Sequence, residues 1–332
     1  MKKFYQLGSL LIAAFFIAGC IVIPKPGPDN NYVNTSQVFV PEEGGINFIR
    51  VTDESVEQLI NPNITRTNQR LSWWANPFFA ITKDGERLAY LCQRNSKQNI
   101  FVTQLNSKSS SQQRTFTGDV QDVTFSPDGK TLCYSKKSGS YNTIFTTSAT
   151  QGSVIQQISS QNVRDYGPRY SLDGKLIFFS RYDGVNYAIW SQDITNGTVS
   201  YYCYGMSPYP ISNEEFLCVR ANSSNHYEIW RVNFMKGSES IILSQEGRSF
   251  TTPSLSPDGK WILCAGNTKD QGVENVDIYV VDIDGSHLTQ LTYHQGNDLS
   301  PVWSPDGKSI YFISQRGSEK GNYNIWKMDF PL

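Results

Sequence analysis

Short apolar stretches alternate with polar turns along most of this chain, without the 3.6-residue spacing that marks an amphipathic helix. After each turn comes a nearly continuous apolar run, such as Leu176-Ile177-Phe178-Phe179, which predicts a strand covered on both faces. The next stretch alternates, as in Ile278-Tyr279-Val280-Val281, and a short polar stretch follows it. The pattern therefore predicts repeated units of short antiparallel strands.

Two marks keep this pattern in register along the chain. An Asp-Gly pair precedes the apolar run at Asp84-Gly85, Asp128-Gly129, Asp173-Gly174, Asp258-Gly259 and Asp306-Gly307, with a worn copy at Asn213-Glu214. An Ile-aromatic pair follows at Ile100-Phe101, Ile144-Phe145, Ile189-Trp190, Ile229-Trp230, Ile278-Tyr279 and Ile325-Trp326. Successive turn marks are 44, 45, 40, 45 and 48 residues apart, which suits one four-stranded unit per repeat. We expect an all-β fold, a six-bladed β-propeller of four-stranded antiparallel blades.

The last unit stops after its third strand, near Lys327-Met328-Asp329. Two N-terminal segments, Ile46 to Arg50 and Val56 to Ile60, read like third and fourth strands. We predict that this N-terminal strand segment pairs with the last blade and closes the ring, which removes an open sheet edge. The sequence leaves open which of the two segments makes the contact.

The recurrent aspartates are predicted to be turn residues. In Ser304-Pro305-Asp306-Gly307, proline suits the second position of a tight turn, aspartate the third, and glycine the positive φ that follows. One such aspartate per blade, each at a hairpin tip, places them around a ring and apart from one another. They are therefore not expected to form a catalytic site.

The first residues have the layout of an export signal. Lys2 and Lys3 precede an apolar run from Leu7 to Phe16 and the small-residue exit Ile17-Ala18-Gly19-Cys20. This exit resembles a bacterial lipobox, which implies a signal peptide at residues 1–19 and a Cys20 that carries the lipid (palmitate). The alternative, a membrane helix, needs a longer apolar run to cross about 30 Å of hydrocarbon.

The rest of the N-terminal region then has a simple division. Prolines and polar residues predict a tether over residues 20–40, followed by the propeller over residues 41–332. By resemblance to enterobacterial sorting, Ile21 favours the outer membrane, facing the periplasm or the cell surface.

Composition excludes some partners. The formal net charge is −1 and there is no basic patch, so nucleic acid is not expected to bind. Four of the other cysteines, Cys92, Cys133, Cys218 and Cys264, fall in the second strands of different repeats, and Cys203 lies elsewhere. Export permits disulfides, but the repeat geometry predicts that these cysteines are separate small core residues.

The combination of Ser-Pro-Asp-Gly, an apolar strand and an Ile-aromatic strand resembles the WD-like propeller repeats of the TolB family, over about residues 71–332. The resemblance implies a monomeric cell-envelope protein that binds another envelope protein, without cofactor or catalysis. The repeats are also similar to those of prolyl-oligopeptidase-like peptidases and oligogalacturonate lyases. The peptidase interpretation is disfavoured because the sequence has no Gly-x-Ser-x-Gly motif. The alternative function is a glycan-binding or polysaccharide-cleaving, lyase-type surface lipoprotein.

In a propeller, the loops between second and third strands, and those between fourth and next first strands, form the mouth of the channel, where binding generally resides. We expect an acidic-aromatic mouth that binds a cation, a basic peptide or a sugar. Its candidates are Trp73, Trp74, Asp122, Arg164, Asp165, Arg248 and Asp298. The alternative is that these residues only bond one another and channel water. Because His226, His287 and His294 are spread over separate segments, no metal site is predicted.

Overall fold

The computed structural model describes residues 43, 46–52, 77–95, 97–106, 110–152, 155–268, 275–317 and 322–331. They form six four-stranded antiparallel sheets, so the predicted six-bladed propeller is confirmed. The described residues contain no helix that could serve as a membrane span.

Each blade runs from an inner first strand to an outer fourth strand. Blade 1 consists of β2 (Phe79–Ile81), β3 (Arg87–Arg94), β4 (Lys97–Gln104) and β5 (Gln112–Gln113). Blade 2 consists of β6 (Thr124–Phe125), β7 (Thr131–Ser138), β8 (Tyr141–Ser148) and β9 (Ile155–Gln157). Blade 3 consists of β10 (Asp165–Tyr170), β11 (Leu176–Tyr182), β12 (Tyr187–Asp193) and β13 (Val199–Tyr204).

The second half of the ring repeats this order. Blade 4 consists of β14 (Met206–Pro210), β15 (Glu215–Ala221), β16 (Tyr227–Asn233) and β17 (Ser238–Leu243). Blade 5 consists of β18 (Phe250–Leu255), β19 (Trp261–Thr268), β20 (Asn275–Asp282) and β21 (Thr289–Gln290). Blade 6 consists of β22 (Asp298–Trp303), β23 (Ser309–Ser314), β24 (Asn324–Asp329) and, as its outer strand, β1 (Phe48–Arg50).

The N-terminal strand closes the ring, as predicted. β1 pairs antiparallel with β24, with Phe48 opposite Met328 and Arg50 opposite Trp326. Thr52 extends the contact, since its hydroxyl accepts the Ile325 N–H at 2.9 Å. The segment that read like a third strand thus takes the fourth-strand place, while residues 56–60 lie outside the described residues.

The hairpin turns have the predicted backbone, with positive φ at Gly174 and Gly307 among others. In blade 5 the Ser256 hydroxyl donates to the Asp258 carboxylate at 2.7 Å and accepts the Trp261 N–H at 2.9 Å. The Ser256 hydrogen bond, together with the Lys260 N–H, lowers the pKa of Asp258. These aspartates therefore stabilise turns.

Tips of neighbouring blades lie closer together than expected. A Cβ added at Gly174 would lie 3.6 Å from Pro127, and one at Gly307 would lie 3.6 Å from Pro257. A Cβ at Gly85 would lie 3.5 Å from Pro305, so the tip of blade 6 rests against blade 1. These tips lie on the face away from the loops between second and third strands, whereas a Cβ added at Gly259 of blade 5 would meet nothing within 4 Å.

The Ile-aromatic mark supplies the core mainly through isoleucine. All six of these isoleucines are fully buried, whereas only the aromatic residues Phe101, Tyr279 and Trp326 are buried to a similar degree. Successive side chains of a strand face opposite sides of the sheet, so the isoleucine and the aromatic residue of each pair pack on opposite faces of the blade. Arginine side chains cover the half-buried tryptophan rings. The guanidinium carbon of Arg181 lies 4.9 Å from the centre of the Trp190 ring, and that of Arg220 lies 4.7 Å from the centre of the Trp230 ring.

Candidate functional site

Two of the predicted mouth aspartates are fully buried within and between blades. Asp122 accepts the backbone N–H of Ser135 at 2.6 Å and that of Gly167, in the next blade, at 2.9 Å. Asp165 forms two hydrogen bonds with Arg181, at 2.7 and 2.9 Å. Both carboxylates hold protein groups in place, so their direct contact with a ligand stays a prediction.

The third aspartate, Asp298, belongs to a buried cluster at the seam of the ring. Arg316 donates to Asp298 at 2.7 Å and to Glu43 at 3.0 and 3.3 Å. The guanidinium carbon also lies 3.9 Å from the centre of the Phe48 ring. Burial acts to lower the pKa of Arg316, but the two carboxylates outweigh burial and raise it. Asp298 therefore helps to fasten the N-terminal segment to blade 6.

A bulge interrupts the strand register from which these aspartates were selected in the sequence. The pairing of the first and second strands shifts register between Tyr166 and Arg169 in blade 3, and between Leu299 and Val302 in blade 6. Within these bulges Gly167 and Ser300 have φ of 58° and 52°. One extra residue turns the following side chains to another face. Counting back in steps of two from the turn therefore fails beyond the bulge.

The remaining candidates are divided among different places. Arg164 lines a mouth pocket, whereas Arg248 lies in the loop before β18 and donates to the Tyr279 hydroxyl at 3.5 Å. Trp73 and Trp74 lie outside the described residues, as does Cys20. Within the part of the chain that the structure describes, no three His, Cys, Asp or Glu residues are grouped so that they could hold a metal ion.

The mouth pocket is a cavity of about 860 Å³ on blades 2 to 4. The loops between second and third strands supply much of its wall, as expected for the mouth of a propeller. It is lined by Gln121, Lys137, Gly139, Ser140, Asn142, Arg164, Tyr166, Tyr182, Val185, Asn186, Tyr187, Tyr204, Gly205, Met206, Val219, Arg220, Ala221, Asn225 and Tyr227. We call this cavity the mouth pocket throughout.

Tyrosine dominates the apolar part of the mouth pocket. The rings of Tyr182 and Tyr187 have centres 4.8 Å apart, and Tyr166 meets Tyr187 edge-on at 6.2 Å. Burial raises the pKa of Tyr166, Tyr187 and Tyr227, so their hydroxyls stay protonated near neutral pH. The pocket therefore offers flat aromatic faces together with hydroxyl donors.

The charge of the mouth pocket is positive rather than the acidic character expected from the sequence. Among the described residues, its lining contains Lys137, Arg164 and Arg220 but no aspartate or glutamate. Arg220 is neutralised by Glu239, with contacts of 2.7 and 2.8 Å. Among the described residues no carboxylate pairs with Lys137 or Arg164.

Arg164 is held in place by neutral groups. Its Nε donates to the Ser140 carbonyl at 3.0 Å, and its guanidinium carbon lies 5.7 Å from the Tyr182 ring centre. These contacts orient the guanidinium without cancelling its charge, and arginine readily pairs with a carboxylate in two parallel hydrogen bonds. The mouth pocket is thus suited to a ligand with an anionic group and a flat or apolar part. Tyrosines at the strand ends beside the mouth loops, namely Tyr182, Tyr187, Tyr204 and Tyr227, were a sequence signal that could have indicated it.

Comparison with known proteins agrees with this fold. The model of the TolB β-propeller domain family matches residues 60–276, and the chain belongs to that family. An uncharacterised protein of Agrobacterium fabrum is 42% identical over 73 residues, 22% of each chain. The Tol-Pal system protein TolB of Francisella tularensis is 27% identical over 103 residues, 31% of this chain and 23% of TolB. The match thus spans less than a quarter of the length of either curated relative.

Solved structures show the same architecture at low identity. TolB from Acinetobacter baumannii has a TM-score of 0.58 at 20% identity, over 68% of this chain and 56% of that one. A putative TolB from Agrobacterium tumefaciens has a TM-score of 0.57 at 20% identity, over 77% and 90%. An oligogalacturonate lyase from Vibrio parahaemolyticus has a TM-score of 0.57 at 14% identity, over 89% and 96%. These likenesses establish the fold alone.

Proposed function

We propose that this protein is a non-catalytic scaffold of the cell envelope that binds another envelope protein through its mouth pocket. The observation that carries the proposal is the pocket itself, in which Lys137 and Arg164 lie beside packed tyrosine rings without a carboxylate partner in the described chain. Membership of the TolB propeller family supports the envelope setting, since the Francisella relative is a Tol-Pal system protein.

The chemistry of the mouth pocket selects an acidic segment of that partner. An aspartate, a glutamate or a C-terminal carboxylate would pair with Arg164 and Lys137, while an aromatic or apolar neighbour would pack on Tyr182 and Tyr187. Tyrosine and arginine are the residue types that most often dominate binding energy at protein interfaces. The cavity has the size of a site for a few side chains rather than a whole domain.

Site-specific photo-crosslinking in the native cell tests the proposal. A photoreactive residue at Tyr204, 64% exposed in the pocket wall, is expected to give a defined protein adduct. The matched control is Leu172, 55% exposed at the blade 3 turn tip on the opposite face. Adding Arg164→Ala to the protein that carries the photoreactive residue at position 204 should lower the adduct yield about tenfold or more. The reason is that a hydrogen bond to a charged group contributes about 1.5–3 kcal/mol. Equal yields at both sites, or no effect of Arg164→Ala, would refute the proposal.

A second candidate function is binding or cleavage of an acidic glycan. It is favoured by the same tyrosine faces, by Lys137 and Arg164, which have no carboxylate partner among the described residues, and by the likeness to an oligogalacturonate lyase fold. Incubating the purified protein with uronate-containing polysaccharides separates the two ideas. Saturable binding that Arg164→Ala abolishes, with or without cleavage products, would favour the glycan.

We also propose that Cys20 carries a lipid and residues 20–40 tether the propeller to the membrane. The support is the sequence pattern that ends in Ile17-Ala18-Gly19-Cys20. Cys20→Ser is expected to abolish incorporation of an alkyne-labelled palmitate and release the protein from the membrane fraction. Ile21→Asp is the matched control, since it leaves the acylated thiol in place and should keep the label. Undiminished labelling of Cys20→Ser would rule out the anchor.

A further inference from the structure

Two cysteines from neighbouring blades meet behind the wall of the mouth pocket. Cys203 lies next to the end of β13, and Cys218 lies in the middle of β15. Gly205 alone separates β13 from β14, and Met206 then pairs opposite Val219. This direct crossing from blade 3 to blade 4 brings both cysteines into one buried cluster with Phe178 and Phe216.

The remaining cysteines are arranged differently. Cys92, Cys133 and Cys264 lie in β3, β7 and β19, the second strands of three other blades. The repeat pattern predicts that all five cysteines are kept apart, and this prediction holds for cysteines at equivalent positions of different blades. The prediction does not apply to Cys203, because this residue belongs to a fourth strand, which packs against the second strand of the next blade.

The surroundings make the two thiols unequal. The neighbouring Cys218 thiol lowers the pKa of Cys203, and the nearby Arg220 guanidinium adds to this effect. Burial raises the pKa of Cys218 well above its ordinary value. Cys203 also keeps 7% of its surface exposed, whereas Cys218 is fully buried. The pair therefore combines a more acidic, more accessible thiol with a buried one, an arrangement suited to stepwise thiol–disulfide exchange.

We propose that Cys203 and Cys218 are a redox pair that closes a disulfide between blades 3 and 4, beside the mouth pocket. The oxidant is a disulfide of a small thiol or of a protein oxidase. The Cys203 thiolate attacks one sulfur of that disulfide, and the other sulfur leaves as a thiolate that takes up a proton. Cys218, losing its proton to solvent, then attacks the Cys203 sulfur and expels the second thiol. Two electrons pass from the cysteines to the oxidant, which ends as two thiols.

The bond would fix the part of the wall nearest to it. Gly205 and Met206 follow Cys203 closely, and Val219 and Arg220 follow Cys218, and all four residues line the pocket. Space there is tight, since a Cβ added at Gly205 would lie 3.2 Å from the Val219 carbonyl oxygen, and the Cys218 sulfur would be in contact with it at 3.5 Å. Oxidation is thus expected to hold the blade 3–4 side of the mouth pocket in one shape. In the cell, the proposed envelope location would place the protein in an oxidising compartment. The reaction of the two thiols with a disulfide does not depend on that location.

The test uses the purified full chain in detergent, reduced and then exposed to oxidised glutathione under native conditions. After alkylation of the remaining thiols, mass spectrometry of a digest is expected to show a peptide that joins Cys203 to Cys218. Cys203→Ser should abolish this linkage. Cys133→Ser, at the position of blade 2 equivalent to Cys218, should leave its yield unchanged. The melting temperature should rise on oxidation and fall again with dithiothreitol, because a disulfide restricts the unfolded chain.

Recovery of both cysteines as free or glutathione-modified thiols, or random pairing with the other cysteines, would overturn the proposal. Folding of each variant is checked by its far-ultraviolet circular dichroism before oxidation. Photo-crosslinking at Tyr204 is measured separately, so a failure of the pocket to find a partner is distinguishable from a failure of the disulfide to form.

Discussion

Deleting residues 41–60 is expected to lower the melting temperature by on the order of 10 °C. The deletion removes β1 and Glu43, so β24 loses its outer partner and Arg316 loses one of its two carboxylates. The deletion also removes Phe48, which is 2% exposed and packs against Phe312. A buried phenylalanine alone contributes about 3–5 kcal/mol, and each kcal/mol shifts the melting temperature of a domain this large by roughly 2–4 °C.

Two point variants separate strand pairing from general damage. Phe48→Ala should reproduce a large part of the loss, whereas Ile49→Ala, one residue further and half-buried, should cost much less. Adding a synthetic peptide of residues 41–60 to the deleted protein should restore part of the melting temperature. A deleted protein that melts like the intact one would mean that the ring does not depend on this closure.

Replacing Arg316 with methionine is expected to cost about 3–5 kcal/mol of unfolding free energy. The change leaves Glu43 and Asp298 as buried carboxylates without their cation. A buried charge that has lost its partner strongly lowers the free energy of unfolding. Methionine keeps much of the side-chain volume, so the effect reports charge more than an emptied space. Denaturant unfolding with a fitted midpoint and slope measures it.

Arg231→Met provides the matched control. Arg231 contacts Glu215 at 2.7 Å, but both side chains are partly exposed, and such pairs contribute about 0–1 kcal/mol. The two variants remove the same group from an ion pair and differ in burial. Similar losses in both variants would show that the buried cluster has no special role in fastening the seam.

Most of the architecture could be predicted because it depends on local rules repeated six times. Turn chemistry placed the hairpins at Asp128-Gly129 and its equivalents, and the apolar runs placed the second strands. Closure by an N-terminal strand followed from the missing fourth strand of blade 6. The sequence could not decide between two candidate strands, because both had suitable patterns and the deciding contacts, such as Phe48 with Phe312, join residues far apart in the chain.

The candidate site was less predictable because it depends on where the repeat departs from regularity. The bulge at Gly167 and its equivalents interrupts the register on which the count depended, and Asp165 is buried in a pair of hydrogen bonds with Arg181. Arg164, its neighbour in sequence, does line the mouth pocket. The proximity of Cys203 to Cys218 depends on a crossing of one residue between blades, which no count within a single repeat reveals.

The pairing of β1 with β24 has a practical consequence for the order of the chain. Phe48 lies opposite Met328, so the first and last described strands are neighbours in one sheet. Termini that lie close together tolerate circular permutation. A short linker could therefore join these ends, and new ends could be opened in a loop of another blade while every strand is kept. Such a permuted chain would keep the mouth pocket but attach any N-terminal segment at a different point around the ring.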